Sequence, residues 1–178
     1  MSDVPQASRS GEPREATDED AAAVRRLIGA CFAEYEGCVL DPEGIDAWMA
    51  VPASSYSEKG GQFWVLTQPG DFGLAACVGW APDGADRIEL KNLYVSAAAR
   101  RQGLGRRLVA LVEAAARERD CATVFLWSDT RFVDAHRLYE GLGYQPTGDQ
   151  RPLHDPSNSI EYCFVKLLDP TPPSWRGR

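Results

Sequence analysis

Ile88-Glu89-Leu90-Lys91-Asn92-Leu93-Tyr94-Val95 reads as a strand, Leu104-Gly105-Arg106-Arg107-Leu108-Val109 opens a helix, and Arg100-Arg101-Gln102-Gly103 stands between them. Strand, glycine turn and helix start together make a cradle for an anion. The amides of a first helical turn have no intrahelical acceptor, and the macrodipole concentrates positive potential where they converge. Glycine at 103 and 105 keeps side chains out of that space. Arg100, Arg101, Arg106 and Arg107 surround the turn. Basic residues oppose the dipole at a helix N-terminus, and a bound diphosphate removes that conflict.

Two phosphate-binding motifs are excluded. A Walker-type loop needs Lys followed by Ser or Thr after its last glycine, and Arg106 and Arg107 are neither. The glycines do not fit G-x-G-x-x-G, and no acidic residue closes a second strand where a ribose needs one.

With 178 residues, 44% hydrophobic and 25% charged, the chain suits one well-packed soluble domain and is too short to favour two. The expected organisation is a mobile arm over 1–13, rich in Ser, Pro and charge, one domain over 14–168, and a mobile tail over 169–178. A net charge of −7 argues against nucleic-acid or anionic-membrane binding, which needs a basic face, and is compatible with a cationic substrate. Within a Debye length of ~10 Å the clustered arginines outweigh that global charge. No stretch approaches the ~20 apolar residues of a membrane span, and the first residues are polar, so the cytoplasm is the expected location. The five cysteines, without a C-x-x-C pair, read as reduced and mostly buried thiols. No His, Cys, Asp and Glu cluster has metal-ligand spacing, so no metal is predicted.

Thr17 followed by Asp18, Glu19 and Asp20 caps a first helix whose Val24, Leu27, Ile28, Cys31 and Phe32 recur at helical spacing. Asp41 to Met49 reads as a second short helix, ahead of a polar loop over 51–62. Phe63 to Leu66, Gly73 to Trp80 and Arg87 to Val95 read as an antiparallel meander, its turns marked by Gln68-Pro69-Gly70-Asp71 and Pro82-Asp83-Gly84. The stripe Leu104, Leu108, Leu111, Val112 and Ala115, followed by the strand Thr123 to Trp127, implies a parallel crossover. A helix carrying Ala135, Leu138, Tyr139 and Leu142 ends at Gly143, and Ser159 to Leu168 closes the sheet. As an edge strand, Glu161 to Leu168 can pair with a second copy of the chain to form a homodimer.

The arginine at 100 with glycines at 103 and 105, and the order of elements around them, resemble the acyl-CoA-binding motif of the GNAT superfamily of N-acetyltransferases. That resemblance covers 14–168 and is weakest at the first strand, where Glu12 to Ala16 includes Pro13. It implies an α/β fold with a mixed, mostly antiparallel sheet, split between the fourth and fifth strands and flanked by helices, with the cofactor in the split. It also implies acetyl-CoA as the acyl donor. Leu93, Tyr94 and Val95 then meet the pantetheine arm through backbone atoms. Arg100, Arg101, Gln102, Gly103, Leu104, Gly105 and Arg106 meet the diphosphate, mainly as amide donors, with guanidinium groups adding charge-assisted bonds.

Acyl transfer to an amine needs a neutral amine, a polarised carbonyl and a proton for the departing thiolate. A primary alkylamine titrates near ~10 and arrives protonated. Glu89 matches the place where some GNAT enzymes hold a catalytic glutamate that works through water. Tyr139, within Ala135-His136-Arg137-Leu138-Tyr139-Glu140-Gly141-Leu142-Gly143-Tyr144, matches the tyrosine that faces the sulfur and serves as acid. The sequence departs from the pattern at Phe132, where many relatives have an Asn on the pantetheine arm; Asp129, Thr130 and Arg131 are the nearby replacements. No acid or histidine stands beside a cysteine as a nucleophile's base, so direct transfer in a ternary complex is expected. Trp48, Tyr56, Trp64 and Trp127 are candidates for an aromatic acceptor pocket. The acceptor is a small-molecule, amino-acid, amino-terminal or lysine amine; neither its identity nor the acyl-chain preference is legible. A non-catalytic acyl-CoA sensor or interaction module is the alternative.

Overall fold

The computed structural model describes residues 11–68 and 73–169. Residues 1–10 of the expected arm, 170–178 of the expected tail, and the turn residues Pro69, Gly70 and Asp71 lie outside the described residues. Among the described residues the helices and strands follow in the order β1 (Arg14–Glu15), α1 (Ala21–Phe32), α2 (Pro52–Ser57), β2 (Gln62–Thr67), β3 (Leu74–Pro82), β4 (Arg87–Val95), α3 (Leu104–Glu118), β5 (Thr123–Asp129), α4 (Val133–Gly141), β6 (Gln145–Pro152) and β7 (Ile160–Leu167). The sheet has the order β1-β2-β3-β4-β5-β7-β6. Its pairs are antiparallel except β4 with β5, which α3 joins as a crossover.

β3 shows no alternation, because both its faces are covered: only Pro82, its last residue, escapes burial. On one side α3 seats Leu104, Leu108, Val109 and Val112 against Val78, Trp80, Ile88 and Leu90. Full burial of each such side chain contributes about 1.5–3 kcal/mol. On the other side α1 seats Val24, Leu27 and Ile28 against Phe63, Val65 and Cys77. All five cysteines are free and buried.

The sheet parts where the chemistry was expected. β4 pairs with β5 only from Arg87 to Leu90, opposite Thr123 to Leu126. On the other edge of β4, Cys77 faces Tyr94 and Gly79 faces Lys91, so Val78 stands opposite both Asn92 and Leu93. That is a bulge, with Asn92 at φ +53°, and Asn is among the few residues that tolerate the left-handed region. The extra residue inverts the strand's facing: Ile88 and Leu90 pack under α3 before it, Leu93 and Val95 after it.

Three expectations are corrected. Gln145–Pro152 is an additional strand, β6, so β7 lies between β5 and β6 and is not the sheet edge. The edge expected to offer Glu161 to Leu168 to a second copy is therefore already occupied. The polar loop contains the helix α2, with Pro52 in its first turn, where its missing N–H costs nothing. Its N-terminus is capped from a distance: Asp18 Oδ1 accepts the Ser54 N–H at 3.0 Å, and Oδ2 accepts the Ser54 hydroxyl at 2.5 Å. The helix expected from Asp41 to Met49 is instead a set of turns ending in a 3-10 segment, Ala47–Ala50.

Candidate functional site

Two cavities meet at the parting of β4 and β5, and Leu93, Tyr94, Phe132 and Ala135 line both. The first is about 500 Å³ and runs from the end of β4 to the head of α3 and along α4. Arg101 and Gly103 both take positive φ, +64° and +78°, so the chain turns sharply into the helix. A Cβ added at Gly103 meets no atom within 4 Å, so the turn borders open space. The first amide with an intrahelical acceptor is Arg107, donating to Gly103 O at 3.0 Å. Among the described residues the amides of 104, 105 and 106 therefore have no backbone acceptor. A Cβ at Gly105 would stand 2.8 Å from Leu138 Cδ2, and its absence lets the head of α3 lie close against α4.

The four arginines divide in two. Arg100 grips Glu34 with both terminal nitrogens at 2.6 Å and donates from Nε to Val95 O at 3.1 Å, tying the end of α1 to the end of β4. That fork pushes the Arg100 pKa further up. Arg107 pairs with Glu12. Among the described residues, Arg101 and Arg106 make no ion pair, and both line the cavity. Gln102 does not line it; its side chain donates to Ala98 O at 3.4 Å.

The second cavity, about 330 Å³, is walled by aromatic and charged side chains. Trp48, Tyr56 and Trp127 line it as expected, whereas Trp64 packs against the α3 core. Most of its charges are paired. Asp129 accepts from Arg131 at 2.7 and 2.9 Å. Burial works to raise the Asp129 pKa, but these bonds outweigh it and hold the carboxyl below its ordinary range. This pairing engages the side chains of Asp129 and Arg131, two of the nearby residues named as replacements for the polar contact missing at Phe132. Glu161 pairs with Arg151 at 2.6 Å, whose guanidinium lies 4.4 Å over the Trp127 ring. Asp46, 8% exposed, accepts the Asp41 N–H at 2.8 Å and no other donor among the described residues, and burial pushes its carboxyl up.

Tyr139 is 4% exposed and lines this second cavity. Among the described residues its hydroxyl has no hydrogen-bond partner. Burial alone pushes its phenol well above the ordinary value, so it stays protonated. Glu89 stands one pleat before Lys91 and does not itself line the cavity; its Oε1 is 2.9 Å from Lys91 Nζ, which does. Neither histidine lines either cavity: His136 Nε2 lies 3.0 Å from Asp129 O, its ring against Tyr162 and Phe164. Asp46, Lys59 and Tyr35 line the cavities without any sequence signal.

The bulge is held from the second cavity. The Tyr56 ring, 3% exposed, fills the place that a side chain at Gly79 would take, and its hydroxyl accepts the Asn92 Nδ2–H at 2.6 Å.

The model of the Acetyltransferase (GNAT) family matches residues 21–144, a span from α1 through the cradle to the end of α4. The chain belongs to the GNAT family. Among GNAT relatives, N-acetyltransferase 8B of Rattus norvegicus is 36% identical over 130 residues, 71% of this chain and 56% of that protein. The chain spans about half the length of the curated relatives it matches. The GNAT fold is equally visible in solved structures. An acetyltransferase of the GNAT family from Staphylococcus aureus Mu50 superposes with a TM-score of 0.75 at 17% identity, covering 89% of this chain and 99% of that one. A protein from Salmonella typhimurium solved with its cofactor acetyl-CoA gives 0.66 at 20% identity, covering 91% and 95%. No helix among the described residues is long and apolar enough to cross a membrane.

Proposed function

We propose that the protein is an N-acetyltransferase that moves the acetyl group of acetyl-CoA to a primary amine of a small molecule or amino acid, by direct attack in a ternary complex, in the cytoplasm. The observation that carries this reading is the junction. A groove ending in an anion cradle and a second cavity of aromatic and carboxylate side chains share one short wall, Leu93, Tyr94, Phe132 and Ala135.

The groove suits a coenzyme A chain by its own chemistry. The amides of 104–106 and the unpaired guanidinium groups of Arg101 and Arg106 meet the diphosphate, with Gly103 leaving the approach clear. Beyond Leu90 the edge of β4 has left β5, which frees the backbone of Leu93 and the Val95 N–H for an amide-bearing arm, while the Val95 carbonyl already accepts from Arg100. Arg100 acts as the strut that holds this edge, since its guanidinium is occupied by Glu34 and Val95 O. Bound acetyl-CoA supplies a thioester whose carbonyl an amine can attack and whose sulfur leaves as thiolate.

Around that thioester the chain holds and moves protons. The amine enters as a cation, drawn by the carboxylates of the second cavity. Glu89 removes the proton through water, because its carboxylate stands behind Lys91 and off the wall. Tyr139 donates its hydroxyl proton toward the leaving sulfur; burial keeps that proton on until it is needed. A thiol-release assay with acetyl-CoA over a panel of amines tests the reading. Amine-dependent release of CoA is expected. Tight acetyl-CoA binding with no release for any amine class would replace the enzyme with a sensor.

A further inference from the structure

We infer that Phe132 is a gate that limits the acyl chain of the donor to about the size of acetyl, an inference that rests on the acyl-CoA reading of the groove. Phe132 is the residue before α4 and one of the four that line both cavities. A chain that extends beyond the thioester toward the second cavity runs along the wall the two cavities share, and Phe132 is one of the four residues of that wall.

The ring is not free to step aside. Its centroid is 4.8 Å from that of Tyr35, 6.1 Å from Phe32 and 6.4 Å from Tyr94, and Phe32 and Tyr94 are themselves 5.9 Å apart. Rings at these separations are in contact, so no slot between them is wide enough for an alkyl chain. The backbone carrying the ring is pinned at both ends: the Phe132 N–H donates to Asp129 O at 3.0 Å, and Phe132 O accepts from His136 N–H at 3.1 Å. Asp129 is in turn locked by Arg131. The cluster joins the end of α1, the end of β4 and the start of α4, so moving one ring disturbs three elements. A donor chain longer than two carbons must therefore displace Phe132 from a packed cluster. Forcing extra methylenes into a packed apolar region is unfavourable.

The test is equilibrium binding, which needs neither an acceptor nor turnover. Calorimetry measures CoA, acetyl-CoA, butyryl-CoA and octanoyl-CoA against wild type, Phe132→Leu and Phe132→Ala, with far-UV circular dichroism to establish folding. Wild type is expected to bind acetyl-CoA about as tightly as CoA and butyryl-CoA about tenfold more weakly. The ratio of butyryl-CoA to acetyl-CoA affinity should rise toward unity in Phe132→Ala, with Phe132→Leu between. Should the alanine variant fail to fold, the leucine variant carries the same ratio test. A flat series in wild type, or an unchanged ratio in a folded variant, overturns the gate while leaving the acyl-CoA reading intact. Failure of wild type to bind CoA itself overturns that reading and the gate with it.

Discussion

Replacing Gly79 by Ala should release the bulge in β4 and so reach the cofactor groove from the far side of the sheet. An added Cβ would stand 2.3 Å from Tyr56 Cε1, 2.4 Å from Cζ and 2.7 Å from the hydroxyl oxygen. The ring has no retreat: it is stacked on Phe63 at 5.0 Å and meets Trp48 edge-on at 5.7 Å. Overpacking of this kind costs about 1–3 kcal/mol, and losing the Asn92 bond to the Tyr56 hydroxyl adds about 0.5–1.5. The entropy an alanine removes from the unfolded chain returns only about 0.4–1 kcal/mol. The expected net loss is about 2 kcal/mol, read from urea unfolding. Because the clash is with one ring, Gly79→Ala should cost less than about 0.5 kcal/mol in a Tyr56→Ala background, which gives a large non-additivity in the double-mutant cycle. Acetyl-CoA affinity should fall about tenfold as the backbone of Leu93 to Val95 shifts, since misplacements near 1 Å have effects of at least that order. Near-wild-type stability of Gly79→Ala, or simple additivity with Tyr56→Ala, would refute the reasoning.

Tyr139→Phe should lower kcat about 10²–10⁴-fold while acetyl-CoA Kd stays within about twofold. Since burial raises the phenol's pKa, Tyr139 stays protonated through the ordinary tyrosine value near ~10, and an alkaline limb of the rate profile below that pH that disappears in the mutant would contradict its role. Arg101→Ala and Arg106→Ala should weaken acetyl-CoA binding in a way that shrinks with added salt, whereas Arg100→Lys, which loses a strut to Glu34 and Val95 O, should weaken it with little salt dependence; equal salt slopes would remove the distinction. The Arg14 hydrogen bonds to Asp20 hold its carboxyl below the ordinary value. That stabilisation is complete above the unfolded value of ~3.9 and is lost as pH falls through the lower folded value, so Asp20→Asn should flatten the fall in Tm between pH 5 and pH 2, and parallel acid limbs would contradict it.

What the sequence discloses is what depends on neighbours along the chain. The meander, the α3 stripe and the glycine turn at 103 and 105 were all legible, because periodicity and turn chemistry are local. β6 was not: Gln145–Pro152 is exposed along almost its whole length, has no apolar alternation, and is a strand because β7 offers it an edge. α2 escaped notice because its cap, Asp18, lies 36 residues before Ser54. The arginine count at the cradle was legible, but not its division, since the partner that occupies Arg100 is 66 residues away at Glu34. The second cavity draws residues from Phe32 to Glu161, and no window of sequence holds such a set together. Even the bulge left one trace only, an Asn at a position that needs φ near +53°.

Both halves of the site come from the same fault in the sheet. Had β4 continued without a bulge, Leu93 and Val95 would face the α1 side and Tyr94 the α3 side, and continued pairing with β5 would close the edge that borders both cavities. One extra residue reverses that facing, and the loss of pairing after Leu90 leaves backbone groups that a ligand can satisfy. The residue that holds the bulge, Tyr56, belongs to the wall of the second cavity, while the bulge it holds sets the backbone of the first. Substitutions in α2 should therefore appear in cofactor affinity as well as in acceptor choice, although α2 contributes no residue to the wall of the first cavity.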